Sequence, residues 1–147
     1  MSARVFVDTN VLVYVKDQTN PLKRKAAETW LAALSAKSAA VISLQSLREY
    51  YNVATKAKVG AVRAVIRREV MALHAWLPND GGLDRLNEAW DIQDRYQLSF
   101  YDALLLASAN AARCTHFLSE DLQDGLDVNG TRILSFMNVA PSDVLRD

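Results

Sequence analysis

Residues 4–12 read RVFVDTNVL, and the fold is decided by how this stretch arrives at Asp8. Val5, Phe6 and Val7 are three β-favouring apolar residues in a row. Their lack of polar alternation predicts a short strand covered on both faces, as in a parallel sheet. The strand runs into Asp8, and Thr9-Asn10 then leads to a second apolar stretch, Val11 to Val15. Burying an ionised carboxylate without a partner is costly. An aspartate here therefore either caps the next helix or has its charge compensated by something gathered around it.

Outward from this strand the pattern is one of alternation. Asn20-Pro21 reads as a cap and first helical residue, opening a helix to about Lys37 with Ala27, Trp30, Leu31 and Leu34 on one stripe. Ala39 to Ser43 reads as a second strand, Leu44 to Lys58 as a helix stopped by Gly60, and Ala61 to Ala72 as another helix. His74 to Leu77 reads as a weak strand before Pro78 and the Asp80-Gly81-Gly82 turn. Leu83 to Tyr96 and Phe100 to Arg113 are predicted helices, and Thr115 to Leu118 is a third clear strand. Asp124-Gly125 turns the chain into a last strand, Thr131 to Phe136. Strands alternating with helices predict an α/β fold with a parallel sheet and right-handed crossovers.

The 147 residues suit one domain, with no repeat, low-complexity tract or linker. Half are hydrophobic and 23% charged, the balance of a globular protein. No apolar run approaches the roughly 20 residues of a membrane helix. The N-terminal apolar run is broken at Asp8, so no signal peptide is expected. The single cysteine, Cys114, excludes an internal disulfide framework and fits a reducing cytoplasm. Cys114, Trp30, Trp76 and Trp90 read as core or interface residues, and His74 and His116 as core histidines in apolar contexts. With no His/Cys cluster, zinc is disfavoured, and neither a phosphate-binding G-x-x-x-x-G-K-[ST] loop nor a G-x-S-x-G elbow is present.

The formal net charge of zero hides an asymmetry. From Lys16 to Asn79 there are eleven Lys/Arg against four Asp/Glu, and from Asp80 to Asp127 three Arg against ten Asp/Glu. Such a division is either ordinary variation among solvated helix faces or an acidic site with a basic rim, which suits a polyanion.

In open parallel sheets, active sites lie beyond the carboxyl ends of the strands. Asp8 ends the first strand, Asp121 follows the third, Glu49 lies in the helix after the second, and Asp102 begins the apolar helix. Each has an ordinary alternative. Asp8 and Asp121 are good caps, Glu49 could be a solvated helix residue, and Ser99 with Asp102 has the S-x-x-[DE] form of a capping box. Together they favour a hard divalent cation such as Mg²⁺ or Mn²⁺, because gathered carboxylates repel and these ions take oxygen ligands.

Four segments, VFVDTNVLVY, LREYYNV, LSFYDALLLASA and HFLSEDLQDG, resemble in order and spacing the motif blocks of PIN domains, most of all VapC-type ribonuclease toxins of prokaryotic toxin–antitoxin modules. The resemblance spans nearly the whole chain and implies a single PIN domain over 1–147, a three-layer α/β/α fold with a central parallel sheet of four or five strands. It also implies a Mg²⁺- or Mn²⁺-dependent endoribonuclease that attacks RNA with water, leaving a 5′-phosphate and a 3′-hydroxyl. By motif the metal-holding catalytic acids are Asp8, Glu49, Asp102 and Asp121, with Asn10, Ser119 and Asp124 as supporting groups. Within SED, Asp121 is preferred to Glu120 as the block's third letter. The implied partners are a VapB-like antitoxin and a second copy of the chain, a homodimer. Lys56, Lys58, Arg63, Arg67 and Arg68 form an acid-free run that serves RNA phosphates, the antitoxin groove or only solvation. Two rivals stand beside this reading. A haloacid-dehalogenase-like phosphohydrolase would want a second Asp where Asn10 stands and a lysine near the site, which no block supplies. A non-catalytic PIN-like binding module would be expected to have lost some of the four acids.

Overall fold

β1 (Val5–Val7) is fully buried and lies between β2 (Ala40–Val41) and β3 (His116–Ser119), parallel to both. The computed structural model describes residues 2–56, 59–79 and 81–146, so Lys58 and Asp80 lie outside the described residues. β5 (Thr131–Ser135) pairs parallel with β3, and β4 (Asp127–Val128) closes the far edge, giving the order β2-β1-β3-β5-β4.

Strand alternation divides the core. Val41, Phe6, Phe117 and Ile133 are in register across the sheet on one face, where the Phe6 and Phe117 rings stack at 5.0 Å. That face is covered by α5 (Leu83–Tyr96) and α6 (Phe100–Ala111), through Ile92, Leu106 and neighbouring alanines. Val5, Val7, Leu118 and Leu134 face the other way. They pack on α1 (Thr9–Tyr14), α2 (Pro21–Ala36), α3 (Leu44–Ala54) and α4 (Arg63–Ala72). Trp30 of α2 is buried there, its indole N–H donating to the carbonyls of Phe136 and Val139 at 3.2 and 3.0 Å. A short α7 (Pro141–Val144) follows. The result is the expected three-layer α/β/α architecture.

The structure corrects three expectations. The sheet is not wholly parallel: β4 runs antiparallel to β5. Asn129-Gly130 joins them as a two-residue hairpin loop, both residues having positive φ (51° and 95°). That conformation is what the Asn-Gly pair supplies. The stretch read as a weak strand at His74 to Leu77 is instead a 3₁₀ turn, Leu73–Trp76, tightening the end of α4. It still meets the sheet, since Ile42 N–H donates to the Trp76 carbonyl at 3.0 Å. His74 is exposed on that turn, and not in the core. Among the described residues no helix is long and apolar enough to cross a membrane.

Candidate active site

The acids meet where β1 and β3 end. The Asp8 N–H donates to the Leu118 carbonyl at 3.0 Å, extending the β1–β3 ladder one step and fixing the Asp8 backbone. Its side chain is nearly buried. One carboxylate oxygen accepts the Thr9 N–H at 2.7 Å, capping α1, and the other accepts the Ser119 hydroxyl at 2.8 Å. The capping role and a role in the acidic centre thus fall to different oxygens of one residue. Burial pushes the Asp8 carboxyl up to about 6. The Ser119 and Thr9 hydrogen bonds pull it down, and the charges of Asp102 and Asp121 raise it further.

Thr9 holds the next acid. Its hydroxyl donates to Glu49 of α3 at 3.1 Å, and Gln45, one turn earlier on that helix, donates to the other Glu49 oxygen at 3.0 Å. Asn10 donates its side-chain amide to Asp121 at 3.3 Å. At the start of α6 the Ser99 hydroxyl accepts the Asp102 N–H at 3.2 Å, so Ser99 is the cap. The half-buried Asp102 carboxylate acts on Asp8 through space. The structure therefore brings Asp102 and Asp121 each into electrostatic range of Asp8 and ties Glu49 to the same helix start, with Ser119 bonded to Asp8 and Asn10 to Asp121.

Other candidates lie differently. Asp124 is turned to the end of β5, accepting the Ser135 N–H at 3.0 Å and the Asn138 amide at 3.4 Å, and makes no hydrogen bond to the four acids. Glu120 turns to Tyr14, whose hydroxyl donates to it at 2.5 Å, and to Lys23. Lys56, Arg63, Arg67 and Arg68 are exposed, and Arg67 lies over the Tyr51 ring and bonds its hydroxyl at 3.2 Å. Cys114 is buried, its thiol pushed up to about 12 by burial, which removes it as a nucleophile near neutral pH. Sequence reasoning missed Thr9, Gln45, Tyr14 and Lys23. Thr9 stands inside the DTN block and Gln45 at helical spacing from Glu49. Lys23 and Glu120 are 97 residues apart, with no local signal.

Among the described residues no three His, Cys, Asp or Glu side chains converge as a ready metal cage. The donors nevertheless fit a hard cation. They are all oxygens, the charges of Asp102 and Asp121 both act on Asp8, and the buried Asn10 Oδ1 accepts no hydrogen bond among the described residues.

Solved structures similar to this chain carry the same fold. A toxin–antitoxin complex from Klebsiella pneumoniae matches at 22% identity and a TM-score of 0.60, over 95% of this chain and 98% of that one. VapC20 of Mycobacterium tuberculosis, a sarcin–ricin loop cleaving toxin, matches at 18% identity and 0.57, over 77% and 86%. FitAcB of Neisseria gonorrhoeae matches at 12% identity and 0.59, over 92% and 99%. No curated protein sequence matches the chain. The family model for the PIN domain matches residues 5–123, most of the chain and the positions of Asp8, Glu49, Asp102 and Asp121, and the chain belongs to the PIN domain family.

Proposed function

We propose that the protein is a Mg²⁺- or Mn²⁺-dependent endoribonuclease, the VapC-type toxin of a toxin–antitoxin module. One observation carries the reading. The buried Asp8 is held on both oxygens by neutral donors while Asp102 and Asp121 raise its proton affinity, so a cation placed there would offset a charge that the chain itself leaves without a cationic partner.

Asp8, Glu49, Asp102 and Asp121 would hold the ion, with Asn10 orienting Asp121 through its side-chain amide. A bound divalent cation supplies a water of lowered pKa and a counter-charge for the phosphate. The chain's part is positional. β1 and β3 give Asp8 a rigid base, the Ser119 hydroxyl fixes its rotamer, and Thr9 and Gln45 fix Glu49. Well-oriented groups of this kind lower barriers by removing motional freedom before reaction.

The test is RNA cleavage by the purified chain. Mg²⁺ or Mn²⁺ should support it, leaving 5′-phosphate ends, and EDTA should abolish it; full activity in excess chelator would sink the metal mechanism. The similar complexes support an antitoxin as partner, and we place it on the face that bears Arg63, Arg67 and Arg68. Binding of RNA by Arg67→Ala across a salt series, with and without antitoxin, separates the roles. A lost phosphate contact flattens the salt dependence, whereas a lost antitoxin contact leaves RNA binding intact and weakens neutralisation. The homodimer is part of the same proposal and is read from sedimentation.

A further inference from the structure

Glu120 is flanked by two residues of the acidic centre and is not itself turned to it. Ser119 ends β3, and the chain bends at Glu120 and Asp121. Ser119 bonds Asp8 and Asp121 bonds Asn10, while Glu120 between them meets Tyr14 and Lys23. Both Glu120 oxygens are engaged. The Tyr14 hydroxyl donates to Oε2 at 2.5 Å and the Lys23 ammonium to Oε1. Lys23 also lies 3.3 Å from the Tyr14 hydroxyl and 5.0 Å from the centre of its ring. Asn10 and Tyr14 stand one turn apart on the same face of α1. One helix face therefore grips Asp121 and Glu120 at once, and Lys23 of α2 braces it.

We propose that Tyr14, Lys23 and Glu120 form a positioning clamp that presents Asp121 to the acidic centre and so sets how tightly that centre holds a divalent cation. The inference rests on the metal-dependent reading above. None of the three residues touches reacting atoms. Glu120 could serve as a ligand only by giving up Lys23 and Tyr14, and its work here is to anchor the segment after β3. The first acid of SED thus holds the second in place. Groups that orient a metal-holding carboxylate typically contribute roughly tenfold to a hundredfold in metal affinity.

The experiment titrates Mn²⁺ by calorimetry into the full chain carrying Lys23→Met or Glu120→Gln. Lys16→Met, which breaks the separate Lys16–Glu69 pair, is the control. Asn10 side-chain amide resonances are recorded on the same metal-free proteins. Both clamp variants should bind Mn²⁺ about tenfold or more weakly, with the Asn10 amide displaced and cleavage recovering at saturating Mn²⁺, while Lys16→Met matches the wild type. If Lys23→Met does not fold, Tyr14→Phe tests the same contact by removing only a hydroxyl. Wild-type Mn²⁺ affinity with an unmoved Asn10 amide overturns the clamp. So does Glu120→Gln abolishing Mn²⁺ binding as fully as Asp121→Asn with no recovery, because Glu120 would then be a ligand. A wild-type chain that takes up no Mn²⁺ defeats the metal-dependent reading instead, and the metal-free amide shift still decides the clamp.

Discussion

The rim where β1 and β3 end and the helical shell around it treat carboxylates in opposite ways. In the shell, glutamates are matched with cations: Glu28 with Arg24 at 3.8 Å, Glu69 with Lys16 at 2.5 Å and Glu88 with Arg85 at 2.9 Å, and the one rim glutamate turned away from the acids, Glu120, likewise pairs with Lys23. The fifth glutamate of the chain, Glu49, is held by a threonine hydroxyl and a glutamine amide. Asp8 is held by a serine hydroxyl and a backbone N–H, and Asp121 by an asparagine amide. A cationic partner discharges a carboxylate, whereas a neutral donor fixes its direction and leaves its charge in place. The rim is therefore ordered, and at the buried Asp8 it keeps a charge that costs stability.

The comparison breaks most sharply on activity. Asp121→Asn should lower RNA cleavage on the order of a thousandfold, the several kcal/mol that charge compensation at a phosphate supplies. Glu88→Gln in the shell should leave the rate unchanged, and equal losses in the two would erase the distinction.

Stability comes next, with the opposite sign. Asp8 ionises near 3.8 in the unfolded chain and only near 6 when folded. Between those values the folded chain holds the extra proton, so stability falls as pH rises through this window, and the cost is complete above it. That cost is on the order of 3 kcal/mol. In EDTA, Asp8→Asn should melt higher than wild type at pH 7 and converge with it below about pH 4. Identical melts at both pH values would show that the rim carries no stored repulsion.

Smaller effects sharpen the contrast further. Thr9→Val keeps shape and removes the donor to Glu49, which should cost about 1 kcal/mol, or roughly fivefold in cleavage rate. Lys16→Met loses a partly exposed ion pair worth about 0–1 kcal/mol in melting experiments, with cleavage unaltered.

The strand at Val5–Val7 and the acid after it were legible because both signals are local: an unbroken β-favouring run and a charge at its end. Helices α2, α5 and α6 were legible from stripes and caps, down to Asn20 as the cap of α2. The four acidic segments were legible because the chain presents them as short blocks. What holds those acids was not. The Ser119–Asp8 bond spans 111 residues and the Lys23–Glu120 pair 97, and no periodicity reports such pairings. The lysine that the haloacid-dehalogenase-like reading wanted does reach this rim, from outside every motif block, and is committed to Glu120. The edge hairpin was overlooked although Asn129-Gly130 announces it. There a two-residue strand is too short for alternation to register. The stretch at 74–77 misled because a 3₁₀ turn at Leu73–Trp76, packed by Leu73 and Trp76 against the core, carries the same composition as a strand.

The two outer strands, β2 and β4, are two residues each. An exposed strand edge is a template on which another chain can add by backbone hydrogen bonding, and long edges invite uncontrolled assembly. Edges this short offer almost nothing to template. A chain that accumulates without a partner thus has little route into fibrous aggregates through its native sheet. The proposed association with a second copy or an antitoxin would then fall to helix faces, where side chains, and not a repeating backbone, choose the partner.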